Sequence, residues 1–333
     1  MKHLNIFLSF VLSIALFTSC DQMTGLLAAS SAANEVFVIM ENNAWQEESG
    51  RAVHGSLTSR TRGLPRPEAN FRVIQIEPEH FTRSFRSARN VVIPQISNIF
   101  SAPALRANLD VYAMGQVIMY INAPDTATFV QFVNDHRQVI VDYFIQKELE
   151  RNAMWLMNSS RTGAMTRARE RFGIDIFPPR GLPNVLVDTD NFLWVSNNAP
   201  RGRQDMVIYQ FPYVTADIFN VDSLVAIRNQ ILGENIPGAF NSQMSTEVVH
   251  YPPHFREMII NGLYRAEVRG LWEMTNDMMG GPFVMHALVN ENTGMVVVVE
   301  MFVFSPEPQT STRNLMRNME ASLYTISLTE QSN

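Results

Sequence analysis

Two β-rich runs near the C-terminus constrain the fold of this chain more than any other feature. Residues 283–290 (FVMHALVN) and 295–304 (MVVVVEMFVF) are joined by the polar, glycine-ended turn NENTG. Strand-forming runs separated by so short a turn fold back on each other as an antiparallel hairpin. A sheet must therefore be built around them. The second run is too short to cross a bilayer as a helix, which takes roughly 20 apolar residues, and Glu300 interrupts it.

The rest of the chain mixes strands with helices. Strands are expected at 35–40, 71–76, 90–96 and 111–121, and helices at 45–57 and 78–88, with the breaker-rich RGLPRPE between 62 and 68. Asp125 is placed to N-cap a long helix running to Met157, and Gly173 to close a helix over 163–173. In the second half, strands are expected at 191–196, 205–211, 246–250 and 256–274, ahead of the hairpin. Asp222 and Gly233 bound a helix, and 311–326 forms the last one. The class is α+β, with antiparallel sheets carrying helices on one face. About 300 residues exceed the usual single domain, so two lobes are expected, 35–174 and 175–333. Each half reads helix, strand, polar connection, strand, helix, which leaves a remote duplication open.

The N-terminus has its own grammar. Lys2 and His3 precede an almost wholly apolar run, Leu4 to Phe17, followed by the small residues Thr18 and Ser19. This is the layout of a secretory signal peptide over 1–19. Cys20 follows at once and is the only cysteine of the 333 residues. The arrangement resembles the lipobox of bacterial lipoproteins, in which that cysteine is lipidated, although Leu16 stands four residues before it and Phe17 takes the usual leucine position. Residues 20–34 then form a short tether. With Cys20 lipidated, the mature domain has no thiol for disulfides, thiolate metal sites or cysteine nucleophiles. The net charge of −6 argues against nucleic acid. Lys2 and Lys147 are the only lysines; the other 24 basic residues are arginines.

The motifs DTDNFLW (188–194), PPHFRE (252–257), GLW (270–272) and MMGGPF (278–283), before a hairpin and a C-terminal helix, resemble the DUF4837 family, lipoproteins of Bacteroidota. GLPRPE (63–68) and FTRSFRSARNVVI (81–93) extend the resemblance from about Glu35 to Leu328. It implies an envelope lipoprotein and transfers no catalytic residue.

Candidate chemistry is sparse. His250 and His254 stand four apart in HYPPHFRE, as in zinc-binding helices, but Pro252 and Pro253 forbid a helix there. DTDNF (188–192) alternates acids without the glycine and distal glutamate of a calcium loop. There is no G-x-S-x-G, G-x-G-x-x-G or Walker A pattern, and His54, His80, His136 and His286 have no assigned role. The stretch 270–283 is the candidate binding surface: Trp272, Met278, Met279 and Phe283 supply apolar area, while Gly280, Gly281 and Pro282 turn the chain. Its alternative is a bulged strand connection filling the core. The expectation is therefore a lipid-anchored, non-enzymatic envelope module, without cofactor, on the outer rather than the inner membrane. It would bind an envelope protein or glycan. The competing expectation is a metal-assisted hydrolase using His250 and His254.

Overall fold

A computed structural model describes residues 25–158, 162–307 and 309–329. The expected signal peptide and Cys20 lie outside these residues. Among the described residues, no helix is long and apolar enough to cross a membrane.

The N-terminal lobe contains β1 (Glu35–Ile39), α1 (Asn42–Gln46), α2 (Glu48–Leu57), β2 (Arg72–Ile76), α3 (Arg83–Arg86), β3 (Asn90–Ile96), β4 (Ala104–Leu109), β5 (Val117–Ala123), α4 (Thr126–Asp135) and α5 (Arg137–Met157). Its five strands are ordered β2-β1-β3-β5-β4. Val36, Val38, Val92 and Met119 face α2, α4 and α5, where Val53, Leu57, Phe129, Ile140 and Phe144 complete the core. Asp125 caps α4 as expected, accepting from the Thr128 N–H at 2.8 Å.

The C-terminal lobe contains α6 (Gly163–Phe172), β6 (Ile174–Asp175), β7 (Asn184–Asp188), β8 (Phe192–Ser196), β9 (Arg203–Pro212), α7 (Val221–Asn235), β10 (Met244–Glu247), β11 (His254–Ile260), β12 (Leu263–Met274), β13 (Asp277–Asn290), β14 (Met295–Phe304), α8 (Thr312–Glu320) and β15 (Ser327–Leu328). Its main sheet is antiparallel, in the order β10-β12-β13-β14-β9-β8-β7, with β11 also on β12. The hairpin read from the sequence sits in the middle of it, in register from Phe283↔Phe302 to Asn290↔Met295.

The α+β class and the two lobes hold, and three details differ. In the N-terminal sheet β1 pairs in parallel with β2 and β3, and β3 with β5; only β4 is antiparallel. Parallel neighbours need crossovers, and α2 provides one between β1 and β2. Helices also cover both faces of the C-terminal sheet. Leu224, Val225 and Leu232 of α7 pack on Met285, Val296 and Val298, while Ala168 and Phe172 of α6 and Met316 and Met319 of α8 pack on Val284, Leu288, Val297 and Val299. Burial on both faces explains why β14 is apolar at every position but Glu300. Finally, α6 belongs to this C-terminal core, so the lobe boundary falls before α6 and not at 174/175. The lobes differ in strand order and direction, so they are not two copies of one topology.

The lobes pack firmly together. Leu149, Ala153 and Leu156 of α5 meet Ala321 and Tyr324 after α8. Leu64, from the loop between α2 and β2, is 2% exposed within the C-terminal core.

Candidate functional site

The segment Arg60–Asn70 leaves the N-terminal lobe and grips the other one. Gly63 takes a left-handed φ of +75°, which glycine adopts at little cost, and its N–H donates to the Tyr251 hydroxyl at 2.6 Å. Arg66 donates to the carbonyls of Ser305 and Glu307 at 3.2 and 2.8 Å. Glu68 sits at the N-terminus of α8, accepting from the Ser311 hydroxyl at 2.7 Å and from the Thr312 and Arg313 N–H groups at 2.9 and 3.2 Å. A carboxylate there complements the helix dipole and its unpaired donors. The breaker-rich RGLPRPE is thus a clasp between lobes.

Beside the clasp lies a cleft of about 110 Å³ to which both lobes contribute. Six arginines line it, Arg60, Arg62, Arg256, Arg269, Arg313 and Arg317, against three carboxylates, Asp142, Glu267 and Glu320. The carboxylates are already engaged. Arg256 forks onto buried Glu267 through two bonds of 2.8 Å, and Arg269 bonds Glu320. Burial alone would raise the carboxyl of Glu267, but Arg269, His286 and Arg256 hold it well below the usual range. Exposed Asp142 accepts from the Gln138 amide at 2.6 Å.

Among the described residues, the guanidinium groups of Arg60, Arg62, Arg313 and Arg317 donate hydrogen bonds to neutral acceptors only, while Glu68 acts on Arg313 and Glu320 and Glu148 on Arg317 through charge. Arg62 donates to Gln138 Oε1 at 2.9 Å and lies 3.3 Å from Nε2 of His254. Arginine has no acceptor atom, so that nitrogen of His254 accepts and the ring is neutral. Burial, then the charge of Arg62, lowers the pKa of His254. Arg313 donates to the Ala69 carbonyl at 2.5 Å. Arg317, 3% exposed, donates to Asn34 Oδ1 and the Asn70 carbonyl at 2.6 and 2.8 Å. Burial, then Arg313 nearby, disfavours its charge. Arginine keeps its proton in proteins, so the fold carries that cost.

The residues singled out in the sequence fare differently. The stretch 270–283 is the β12–β13 hairpin, with a register shift at Glu273/Met274. Trp272 and Phe283 are buried, and Trp272 Nε1 donates to the Val303 carbonyl at 3.1 Å. Gly281 and Pro282 are buried too. A Cβ on Gly281 would lie 2.1 Å from the Val303 oxygen. Of the seven residues expected to form the surface, Met278 alone is exposed; Gly280 is half-buried and Met279 packs on the core. As an open binding surface the stretch fails, because its glycines permit close packing and do not expose a turn. Trp272 and Met279 do border a second, apolar cavity of about 240 Å³ with Met244, Phe302 and Phe304. The carboxylate at its polar end, Asp205, is satisfied by Arg203 and by Trp194 Nε1 at 2.9 Å.

His250 and His254 do not form a metal pair. His250 is exposed and lies 3.7 Å from Glu247, while His254 turns to Arg62. Among the described residues, no three His, Cys, Asp or Glu side chains are grouped to hold a metal. DTDNF is the turn between β7 and β8, where the Thr189 hydroxyl accepts from the Phe192 N–H at 3.0 Å. Sequence reasoning missed the cleft altogether. The faint signal was the arginine bias, whose members are scattered from 60 to 317.

Residues 161–325 match the family model described as a domain of unknown function, DUF4837. Over these residues the chain belongs to that family. Residues 29–156 match a different domain of unknown function, DUF8532, so GLPRPE and FTRSFRSARNVVI lie outside the DUF4837 match. The arginine cleft draws on both matched segments. No curated protein matches the chain. Among solved structures, the Ran-binding protein Mog1p of Saccharomyces cerevisiae aligns over 47% of this chain and 90% of its own, at 11% identity and a TM-score of 0.30. At that level nothing about function passes from one to the other.

Proposed function

We propose that this DUF4837 protein is a non-enzymatic binding module of the bacterial envelope, anchored through a lipid on Cys20 and taking its ligand in the cleft between the lobes. The observation that carries the binding half is the position of the cleft. Ligand sites favour the junction of two domains, and here the clasp, α5, β11, β12 and α8 all contribute side chains to one hollow. The anchoring half is supported by the apolar run and the cysteine that ends it. The outer membrane is the expected home, and an envelope protein or glycan the expected partner.

Fractionation of cells expressing the wild type or Cys20→Ala tests the anchor. The wild type should sediment with membranes and the variant should not; a variant that still sediments overturns the anchor. Hydrogen exchange of the purified protein, with and without envelope extract, tests the cleft. Slowed exchange at 60–70 and 313–320 supports it, and protection elsewhere or nowhere removes it.

A further inference from the structure

We propose that the cleft binds a phosphate group, gripped by Arg60 and Arg62 of the clasp and by Arg313 and Arg317 of α8. This rests on the reading of the cleft as the ligand site and adds the chemistry of what enters it.

The argument starts from charge. The chain as a whole is acidic, at −6, yet this hollow gathers six arginines against three carboxylates. Arg256 and Arg269 are matched by Glu267 and Glu320. Glu267 and Glu320 are buried, and the arginines that bind them offset their repulsion of an incoming anion. What remains is four guanidinium groups whose hydrogen bonds, among the described residues, go to neutral acceptors, with Asp142 left in the lining and with Glu68 acting on Arg313 and Glu320 and Glu148 on Arg317 through charge alone. Like charges crowded in a partly desolvated hollow repel one another, and an anion converts that repulsion into attraction.

Geometry then selects among anions. A carboxylate is planar, and a single guanidinium fork satisfies it. Here the cations arrive from two elements on opposite lobes, and each has five donors, of which the neutral acceptors use between one and three. A phosphate offers three or more strong acceptor oxygens in a tetrahedral array and, as a monoester, a charge of about −1.5 to −2 at neutral pH. That matches several converging forks where a carboxylate does not. Arg60 and Arg62 are exposed, and a ligand would draw them from the single contacts they make with Leu64, Gln138 and His254. Arg317 is buried and pre-positioned by Asn34 and Asn70.

The competing role for these arginines is to staple the lobes. Arg313 and Arg317 do bond the clasp backbone, so their loss would change stability as well as binding. The test therefore uses the exposed pair. Full-length protein in detergent is titrated by calorimetry with inorganic phosphate, glycerol 1-phosphate and acetate, and compared with Arg60→Gln and Arg62→Gln. Urea midpoints equal to the wild type establish that the variants fold.

Saturable one-to-one binding of phosphate or glycerol 1-phosphate, weakened about tenfold or more by either variant, supports the proposal. A preference for the ester points to a phosphorylated headgroup or sugar, and a preference for phosphate to the free ion. Binding unchanged by both variants, acetate binding as tight as phosphate, or no saturable binding overturns it. Envelope extract protecting 60–70 and 313–320 in protein that ignores phosphate would keep the cleft and discard the phosphate. Loss of both signals discards the cleft.

Discussion

Arg228 of α7 and Glu300 of β14 form a bidentate ion pair, with bonds of 2.9 and 2.7 Å and neither side chain exposed. The guanidinium also donates to Thr246 Oγ1 at 2.8 Å and lies 4.0 Å over the Phe283 ring. Glu300 is the residue that interrupts the apolar run of β14, and the pair explains why the sheet tolerates it. Removing one partner strands a buried charge at a cost of about 3–5 kcal/mol, whereas replacing both by apolar groups is often close to neutral. Urea denaturation should show Arg228→Met and Glu300→Met each strongly destabilised and the double variant recovering most of the loss. Additive losses would show that the pair is not coupled.

Glu68 should act as a cap supplied across the lobe junction. It accepts two backbone N–H groups and the hydroxyl of Ser311, which itself accepts from the Asn314 N–H. Glu68→Ala leaves those donors without the carboxylate, and loss of a helix cap costs about 0.5–2 kcal/mol. Faster hydrogen exchange at the start of α8 is the specific readout. A fall in stability without it would place the effect elsewhere in the clasp.

Periodic and locally punctuated elements were legible from the sequence: the β13–β14 hairpin, the Asp125 cap and the Gly173 stop, where φ is +63°. Elements decided by distant contacts were not. β4 is an edge strand with no buried residue, so ALRANL shows no alternation. The expected strand over 256–274 is two strands, turning at Asn261 and Gly262 with φ of +52° and +75°; the Asn-Gly dipeptide is the local mark of that turn. The helix expected to end at Gly233 continues to Asn235, and the one expected over 125–157 breaks at His136. Parallel pairing in the first sheet and the meeting of arginines in the cleft depend on tertiary packing and leave no local mark.

Gly63 offers a paired comparison with Gly262. Both have φ of +75°, but a Cβ on Gly63 would lie 2.7 Å from Arg269 Cγ, whereas one on Gly262 meets nothing within 4 Å. A non-glycine residue in such a region costs about 1–3 kcal/mol. Gly262→Ala should lose that amount alone, and Gly63→Ala more, because Arg269 must also give way. Equal shifts in the urea midpoint would mean that Arg269 moves aside freely and that the clasp is looser than its bonds indicate.

Stability should fall on mild acidification because of His286. Its ring is fully buried on β13, with Nε2 donating to Glu267 at 3.2 Å and Nδ1 without a partner among the described residues. The charged groups facing it are Glu267, Arg265 and Glu320, with the Tyr324 ring 6.1 Å away. Burial lowers its pKa below the ordinary 6.5, although Glu267 opposes this. As pH falls past 6.5 the unfolded chain therefore takes up a proton that the folded chain refuses, and stability declines until the folded imidazole also protonates. His254 is shifted in the same direction, so the comparison must be made between proteins. Urea midpoints at pH 7.5, 6.5 and 5.5 should fall more steeply for the wild type than for His286→Gln. Parallel lines would mean that the buried ring accepts its proton beside Glu267 as readily as it does in the unfolded chain.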